Sequence, residues 1–160
     1  DSDILELMPK TALELILIDG FNHYNKELHT KVHYDALRDV FDGSVEIVYN
    51  DAWYSVIGDV IFCHPLAYSS GMMATSEKAR RFFKDEGYEF GCLVMAHTHH
   101  TGSYDVGDIV MYEQGAACET SKQNYSDGKL FRSQKEGFIF LCLDMDGKLI
   151  QNATELVKLN

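Results

Sequence analysis

The sequence lacks any apolar run that approaches the roughly 20 residues needed for a helix to cross a bilayer. Its first residues, Asp1-Ser2-Asp3, contain neither the basic region nor the apolar core of a signal peptide. Cysteine is sparse: the four cysteines, at positions 63, 92, 118 and 142, have apolar neighbours and form no C-x-x-C pair. We therefore expect a soluble cytoplasmic protein with no membrane partner, in which the thiols are reduced core residues.

Positive charge is also scarce. The chain has 14 Lys and Arg against 25 Asp and Glu, for a net charge of −11, so it repels polyanions unless basic residues cluster. The only short basic cluster, within residues 78–84, has a helical pattern and fits a solvated helix face. These counts argue against an extended nucleic-acid surface.

With 160 residues and 46% hydrophobic content, the chain predicts a single domain over residues 1–160. Because it begins with Asp and not Met, we expect it to be part of a longer product. The predicted strands cover residues 13–18, 45–49, 52–57, 60–63, 92–96, 109–112, 137–144 and 148–150, and residues 155–159 are a terminal strand or a fraying end. The predicted helices cover residues 27–41 and 75–86, with a short helix over residues 4–7. A meander over residues 45–63, with helices between other strands, indicates an α/β or α+β fold.

Three polar clusters follow predicted strands: Asn22-His23, His64 and His97-Thr98-His99. The strand ends should line up along one edge of a sheet. If the strand continues, His97 and His99 share one face of it, and two neutral imidazoles there favour a metal. A histidine-rich polar loop is the plain alternative for an isolated H-x-H pattern. The pair His29 and His33, in contrast, has zinc-like spacing but no acidic residue between, and fits a solvated helix face.

The ordered set resembles the calcineurin-like metallophosphoesterase family. Gly20-Phe21-Asn22-His23 is similar to the family's Gly-Asn-His motif, residues 60–64 to its strand-borne histidine, and Ala96-His97-Thr98-His99 to its Gly-His-x-His motif. The resemblance covers the chain from about Leu13 onward. It implies a four-layer αββα sandwich of mixed sheets with two divalent metal ions in a cleft.

The resemblance also implies the roles of the site residues. Asn22, His64 and His97 would bind one metal, His99 would bind the other, and His23 would face the phosphate and protonate the leaving oxygen. Two close cations can activate a hydroxide for in-line attack and neutralise the phosphoryl oxygens. Mixed nitrogen and oxygen ligands favour Mn, with Zn, Fe or Ni as alternatives.

The family's first motif, Asp-x-His, has no counterpart in this sequence. Gly58-Asp59 fits the letters of the second, Gly-Asp, but it lies inside the predicted meander and is interpreted as a turn. Asp1 or Asp3 could instead bridge the metals, although Ser2 and Asp3 serve equally well as a helix cap. Either an N-terminal strand-helix-strand segment is missing, which we favour, or the chain is a relative with one metal or none.

Two main functions follow. The first is a metal-dependent phosphoesterase that acts on a small phosphodiester substrate. The second is a catalytically impaired binding or scaffold module with the same fold, and a one-metal structural zinc protein is a third. The sequence does not identify the substrate, and a homo-oligomer stays open.

Overall fold

The structure is a computed structural model that describes residues 14–18, 29–41, 43, 45–50, 52–69, 71–117, 119 and 135–159. The chain divides into two compact units, Asp1–Trp53 and Tyr54–Asn160, and each is considered by itself. The single domain over residues 1–160 therefore stays a prediction. Within the described residues, no helix is long and apolar enough to span a membrane.

The first unit contains a strand, a helix and a second strand: β1 (Glu14–Ile18), α1 (His29–Phe41) and β2 (Glu46–Asn50). The strands pair in parallel, from Glu14 opposite Glu46 to Ile18 opposite Asn50. The predicted meander is therefore wrong for β2, which does not continue into the next hairpin. Parallel strands need a crossover connection, and α1, which contacts both strands, lies within it.

The second unit is built on a five-stranded mixed sheet. Its strands are β3 (Tyr54–Ile57), β4 (Val60–Cys63), β5 (Cys92–Met95), β6 (Thr101–Val106) and β7 (Ile109–Gln114), in the order β3-β4-β5-β7-β6. The central strands β4, β5 and β7 are parallel, while β3 and β6 are antiparallel edge strands. The helix α2 (Ala74–Asp85) connects β4 to β5. The predicted α/β class with mixed sheets is confirmed.

Both faces of this sheet are covered, which explains why its central strands are continuously apolar. On one face, Ile61, Leu93 and Met95 are fully buried, and α2 packs against β5 and β7 with Phe83 buried. The other face has a core of alternating residues that includes Val94. It packs against residues 139–149 and the hairpin of β8 (Gly137–Phe140) and β9 (Glu155–Lys158).

The start of α2 differs from the sequence prediction, and its end agrees with it. Thr75 or Ser76 is predicted to cap the helix, but the helix begins at Ala74, after Met73 with a left-handed φ of 63°. The Thr75 side chain is buried, and its hydroxyl instead accepts the N–H of Ser69, in the segment that precedes the helix, at 2.8 Å. At the other end, the sequence predicts that Gly87 closes the helix, and Gly87 follows it with a left-handed φ of 86°.

Candidate active site

His64 and His97 come together because they leave two neighbouring strands at the same edge. The parallel strands β4 and β5 end in register, with Cys63 opposite Met95, and the Ala96 N–H donates to the Cys63 carbonyl at 3.1 Å. The two imidazole ring centres lie 5.1 Å apart with an angle of 62° between the rings. The sheet therefore brings these two predicted site residues into contact.

The residues Ala96–His100, here called the histidine loop, are not a continuation of the strand. Strand β5 ends at Met95, and His97 and His99 have left-handed φ values of 88° and 57°. The expectation that these two histidines alternate on one face of a strand is therefore wrong. Residues other than glycine rarely adopt these φ values, and such backbone strain is concentrated at functional sites.

Thr98, between the two histidines, is the residue that anchors this loop. Its side chain is 2% exposed, and its hydroxyl donates to Glu113 Oε1 at 3.0 Å. The same hydroxyl accepts the N–H of His100 at 3.3 Å. One side chain therefore links the loop to strand β7 and closes the loop on itself.

Glu113 is fully buried, which is unusual for a carboxyl group. Its second oxygen, Oε2, and the hydroxyl of the nearby Tyr104 are both buried. Burial raises the pKa of Tyr104, and the charge of the Glu113 carboxyl and a hydrogen bond with it add to the shift.

Two other histidines of the loop have separate surroundings. His100 is 1% exposed and directly precedes β6, so it is a buried residue of the loop. The carbonyl of His99 accepts the N–H of Lys135 at 2.8 Å, and the Lys135 carbonyl in turn accepts the N–H of Ala116 at 2.9 Å. These bonds connect the histidine loop to the residue that follows Gly115 at the end of β7.

Tyr68 forms one wall beside the imidazole pair. Its ring meets that of His97 edge to face, with 5.9 Å between the centres, while 42% of the residue remains exposed. The Nε2 atom of His97 and the Nδ1 atom of His64 are buried. The imidazoles are therefore held at the edge of the sheet and partly covered.

Asp59 lies at the opposite end of β4 from His64. Gly58-Asp59 is the two-residue turn between β3 and β4, as predicted, and the Asp59 carboxylate pairs with Lys148 at 3.3 Å. Five residues of extended chain separate Asp59 from His64, which corresponds to about 16 Å. Asp59 therefore does not take the place of the metal-bridging aspartate of the family whose motifs the sequence resembles.

The imidazole pair fits part of a metal-ligand set. Two imidazoles whose nitrogens lie about 2.1 Å from one ion at a near-tetrahedral angle have ring centres about 5 Å apart. The observed 5.1 Å agrees, although an ordinary edge-to-face contact has a similar separation. Within the described residues, no group of three or more His, Cys, Asp and Glu could by itself hold a metal ion. Asn22 and His23, like Asp1, Asp3 and Cys118, lie outside the described residues.

Sequence reasoning missed Glu113. The available signal was a carboxylate directly after the apolar run Ile109–Tyr112, although a charged residue there also fits the exit of a strand into solvent. The structure shows the opposite, because the histidine loop covers that position.

Comparison with known proteins finds similarity only at the level of solved structures. No protein-family model and no curated protein matches the chain. A single mutant of Vps29 from Entamoeba histolytica is 14% identical, with 92% of this chain and 99% of that chain covered and a TM-score of 0.43. Wild-type Vps29 complexed with Zn²⁺, from the same organism, is 14% identical with the same coverage and a TM-score of 0.40.

A third similar structure is a conserved uncharacterised protein of Streptococcus pneumoniae, described as a predicted phosphoesterase. It is 10% identical, with 91% of this chain and 96% of that chain covered and a TM-score of 0.35. None of these similarities assigns a function to this chain. The resemblance to the metallophosphoesterase family rests on the three sequence motifs.

Proposed function

We propose that the chain is a metal-dependent phosphoesterase that hydrolyses small phosphodiesters. The observation that carries the proposal is the imidazole pair of His64 and His97, whose ring centres lie 5.1 Å apart. The pair stands at the carboxyl ends of two neighbouring parallel strands, where α/β sheets bind their ligands. The strained backbone of His97 supports a functional role for the same position.

In this proposal, His64 and His97 would bind one divalent metal ion, the sequence resemblance assigns Asn22 to the same ion, and His99 would contribute to a second. Mn is the favoured metal because imidazole nitrogen and carboxamide oxygen suit it, and Zn, Fe and Ni are alternatives. When bound, the metal ions supply a Lewis acid that activates water and neutralises phosphoryl charge.

The residues of the chain do the remaining work. His23 would donate a proton to the leaving oxygen, a role that suits imidazole because it titrates near neutral pH. Tyr68 packs edge-on against His97 and limits the rotation of that ring. A substrate with a compact phosphodiester group is favoured, since the net charge of −11 repels long polyanions.

The test measures Mn²⁺ binding and hydrolysis of an aryl phosphodiester by the natural full-length protein. We expect His64→Ala and His97→Ala each to lower Mn²⁺ affinity and turnover at least about 100-fold, since even changes behind the ligands cost 10- to 100-fold. His23→Ala should lower turnover and leave Mn²⁺ affinity nearly unchanged. His33→Ala, a histidine of α1 predicted to lie on a solvated face, is the matched control.

The proposal fails if the protein binds no divalent metal, or if His64→Ala and His97→Ala retain wild-type turnover. Metal binding without hydrolysis of any phosphodiester would instead support the binding or scaffold module. Elemental analysis of the purified protein separates these outcomes from the third candidate, because a structural zinc site would retain one metal per chain.

A further inference from the structure

We infer that Glu113 is a positioning residue: through Thr98 its carboxyl fixes the histidine loop and thereby orients His97 and His99. The inference rests on the proposed function, because the contact would hold these imidazoles in position to bind metal. Glu113 itself is not a proposed ligand, and neither the motifs nor the comparisons point to it.

The strand register places Glu113 beneath the loop. Glu113 lies opposite Met95, the last residue of β5, and also opposite Gly102, the second residue of β6. Since β7 lies between β5 and β6 in the sheet, the histidine loop must cross over the end of β7 to connect them. The Glu113 carboxyl therefore starts from a rigid central strand and reaches the loop that passes above it.

The contact between Thr98 and Glu113 controls both histidines because of where Thr98 lies in the loop. His97 and His99, on either side of it, have φ values of 88° and 57°, which L-residues adopt only when surrounding contacts impose them. The Thr98 hydroxyl uses both of its hydrogen-bonding capacities, as donor to Glu113 Oε1 and as acceptor from the His100 N–H. Removal of that hydroxyl would free the loop at its centre.

The surroundings of Glu113 favour a fixed carboxyl. Gly102, its neighbour on β6, has no side chain, and a Cβ there would collide with the hydroxyl end of Tyr104. Tyr104 therefore fills the space beside Glu113 and closes it from that side. A carboxyl that is fully buried and bounded in this way holds its hydrogen-bond partner in one geometry.

Two matched pairs of variants test the inference in the full-length protein. Thr98→Val keeps the side-chain shape and removes the hydroxyl, whereas Thr98→Ser keeps the hydroxyl. Glu113→Met keeps the length and removes the acceptor, whereas Glu113→Gln keeps a carbonyl oxygen that accepts from Thr98. Thr154→Val is the control, because the Thr154 hydroxyl likewise donates one hydrogen bond, to the Ile150 carbonyl, and accepts one N–H, from Cys142, but in the segment before β9.

Three quantities are measured for each variant: Mn²⁺ affinity, the histidine side-chain ¹⁵N signals of the metal-free protein, and the urea midpoint. We expect Thr98→Val and Glu113→Met to weaken Mn²⁺ binding by about 10- to 100-fold and to shift the signals of His97 and His99. Thr98→Ser and Glu113→Gln should restore affinity to within about threefold. Thr154→Val should lower only the urea midpoint.

The inference is overturned if Thr98→Val and Glu113→Met lower the urea midpoint but leave the signals of His97 and His99 at their wild-type positions. It is also overturned if Thr98→Ser and Glu113→Gln fail to restore those signals. A wild-type protein that binds no Mn²⁺ would sink the proposed function alone, because the signals of the metal-free protein still decide whether Glu113 positions the loop.

Discussion

Replacement of His97 by glycine should give a more stable protein than replacement by alanine. The backbone of His97 has a φ of 88°, in the left-handed region where a Cβ atom is strained. Both substitutions remove the imidazole and its ring contacts with His64 and Tyr68, so these losses cancel in the comparison. The difference between the two variants therefore reports the backbone strain at this position.

The expected size follows from two opposing terms. A left-handed conformation costs an L-residue about 1–2 kcal/mol, which glycine avoids. Glycine loses about 0.5–1 kcal/mol relative to alanine because its unfolded chain is more flexible. The difference of these terms is about 0–1.5 kcal/mol, so we expect the glycine variant to exceed the alanine variant by about 0.75 kcal/mol in the free energy of unfolding.

Urea denaturation of both variants measures this difference, and Arg81 in α2 provides the matched control. Arg81 is an exposed helical residue, where glycine should be less stable than alanine by about 1 kcal/mol. The contrast between the two positions is then about 1–2.5 kcal/mol, well above the error of a urea midpoint. A glycine variant at position 97 that falls below the alanine variant by as much as it does at Arg81 would refute the claim that the histidine loop stores strain.

Three further predictions concern the second unit. The hydrogen bond from Arg80 lowers the pKa of Glu77 from 4.5 to about 2. The ionised Glu77 therefore stabilises the fold by about 1 kcal/mol after screening above pH 4.5, and this stabilisation is lost as the pH falls towards 2. In Glu77→Gln, the urea midpoint should no longer fall between pH 4.5 and 2 for this reason. Gly58→Ala, whose Cβ would lie 2.5 Å from the carbonyl oxygen of Gly147, should cost about 1–3 kcal/mol more than Gly107→Ala, which has open space, in the same assay. Burial raises the pKa of Cys63, so mass-spectrometric mapping should show thiol labelling at pH 8 only after unfolding.

The central strands could be predicted from sequence because burial on both faces produces short apolar runs. Val60–Cys63 is found with its predicted bounds, and the strand predicted over residues 92–96 is found as Cys92–Met95. Each is followed by a histidine, and parallel pairing brings those histidines to one edge. The meeting of His64 and His97 was therefore accessible before any coordinates.

The edge strand β6 could not be predicted in the same way. Its residues, Thr101–Val106, are largely polar, and only the antiparallel pairing with β7 makes them a strand. Strand propensity depends on this tertiary context more than on the residues themselves. The strand predicted over residues 148–150 failed for the complementary reason: Leu149 makes one isolated bridge with Leu143, and a 3₁₀ turn, Gln151–Ala153, follows.

Glu113 shows why only part of the candidate site can be predicted from the sequence. A carboxylate after four apolar residues has two opposite interpretations: it ends a strand in solvent, or it is buried for a specific partner. Sequence pattern cannot separate them, because the answer depends on which strands flank β7 and where their connection passes. The strand register explains why Glu113 is buried: Met95 and Gly102 both lie opposite Glu113, and the loop that joins them passes over the end of β7. The histidines supply visible motifs, whereas the residue that fixes their geometry becomes visible only when the order of the strands is known.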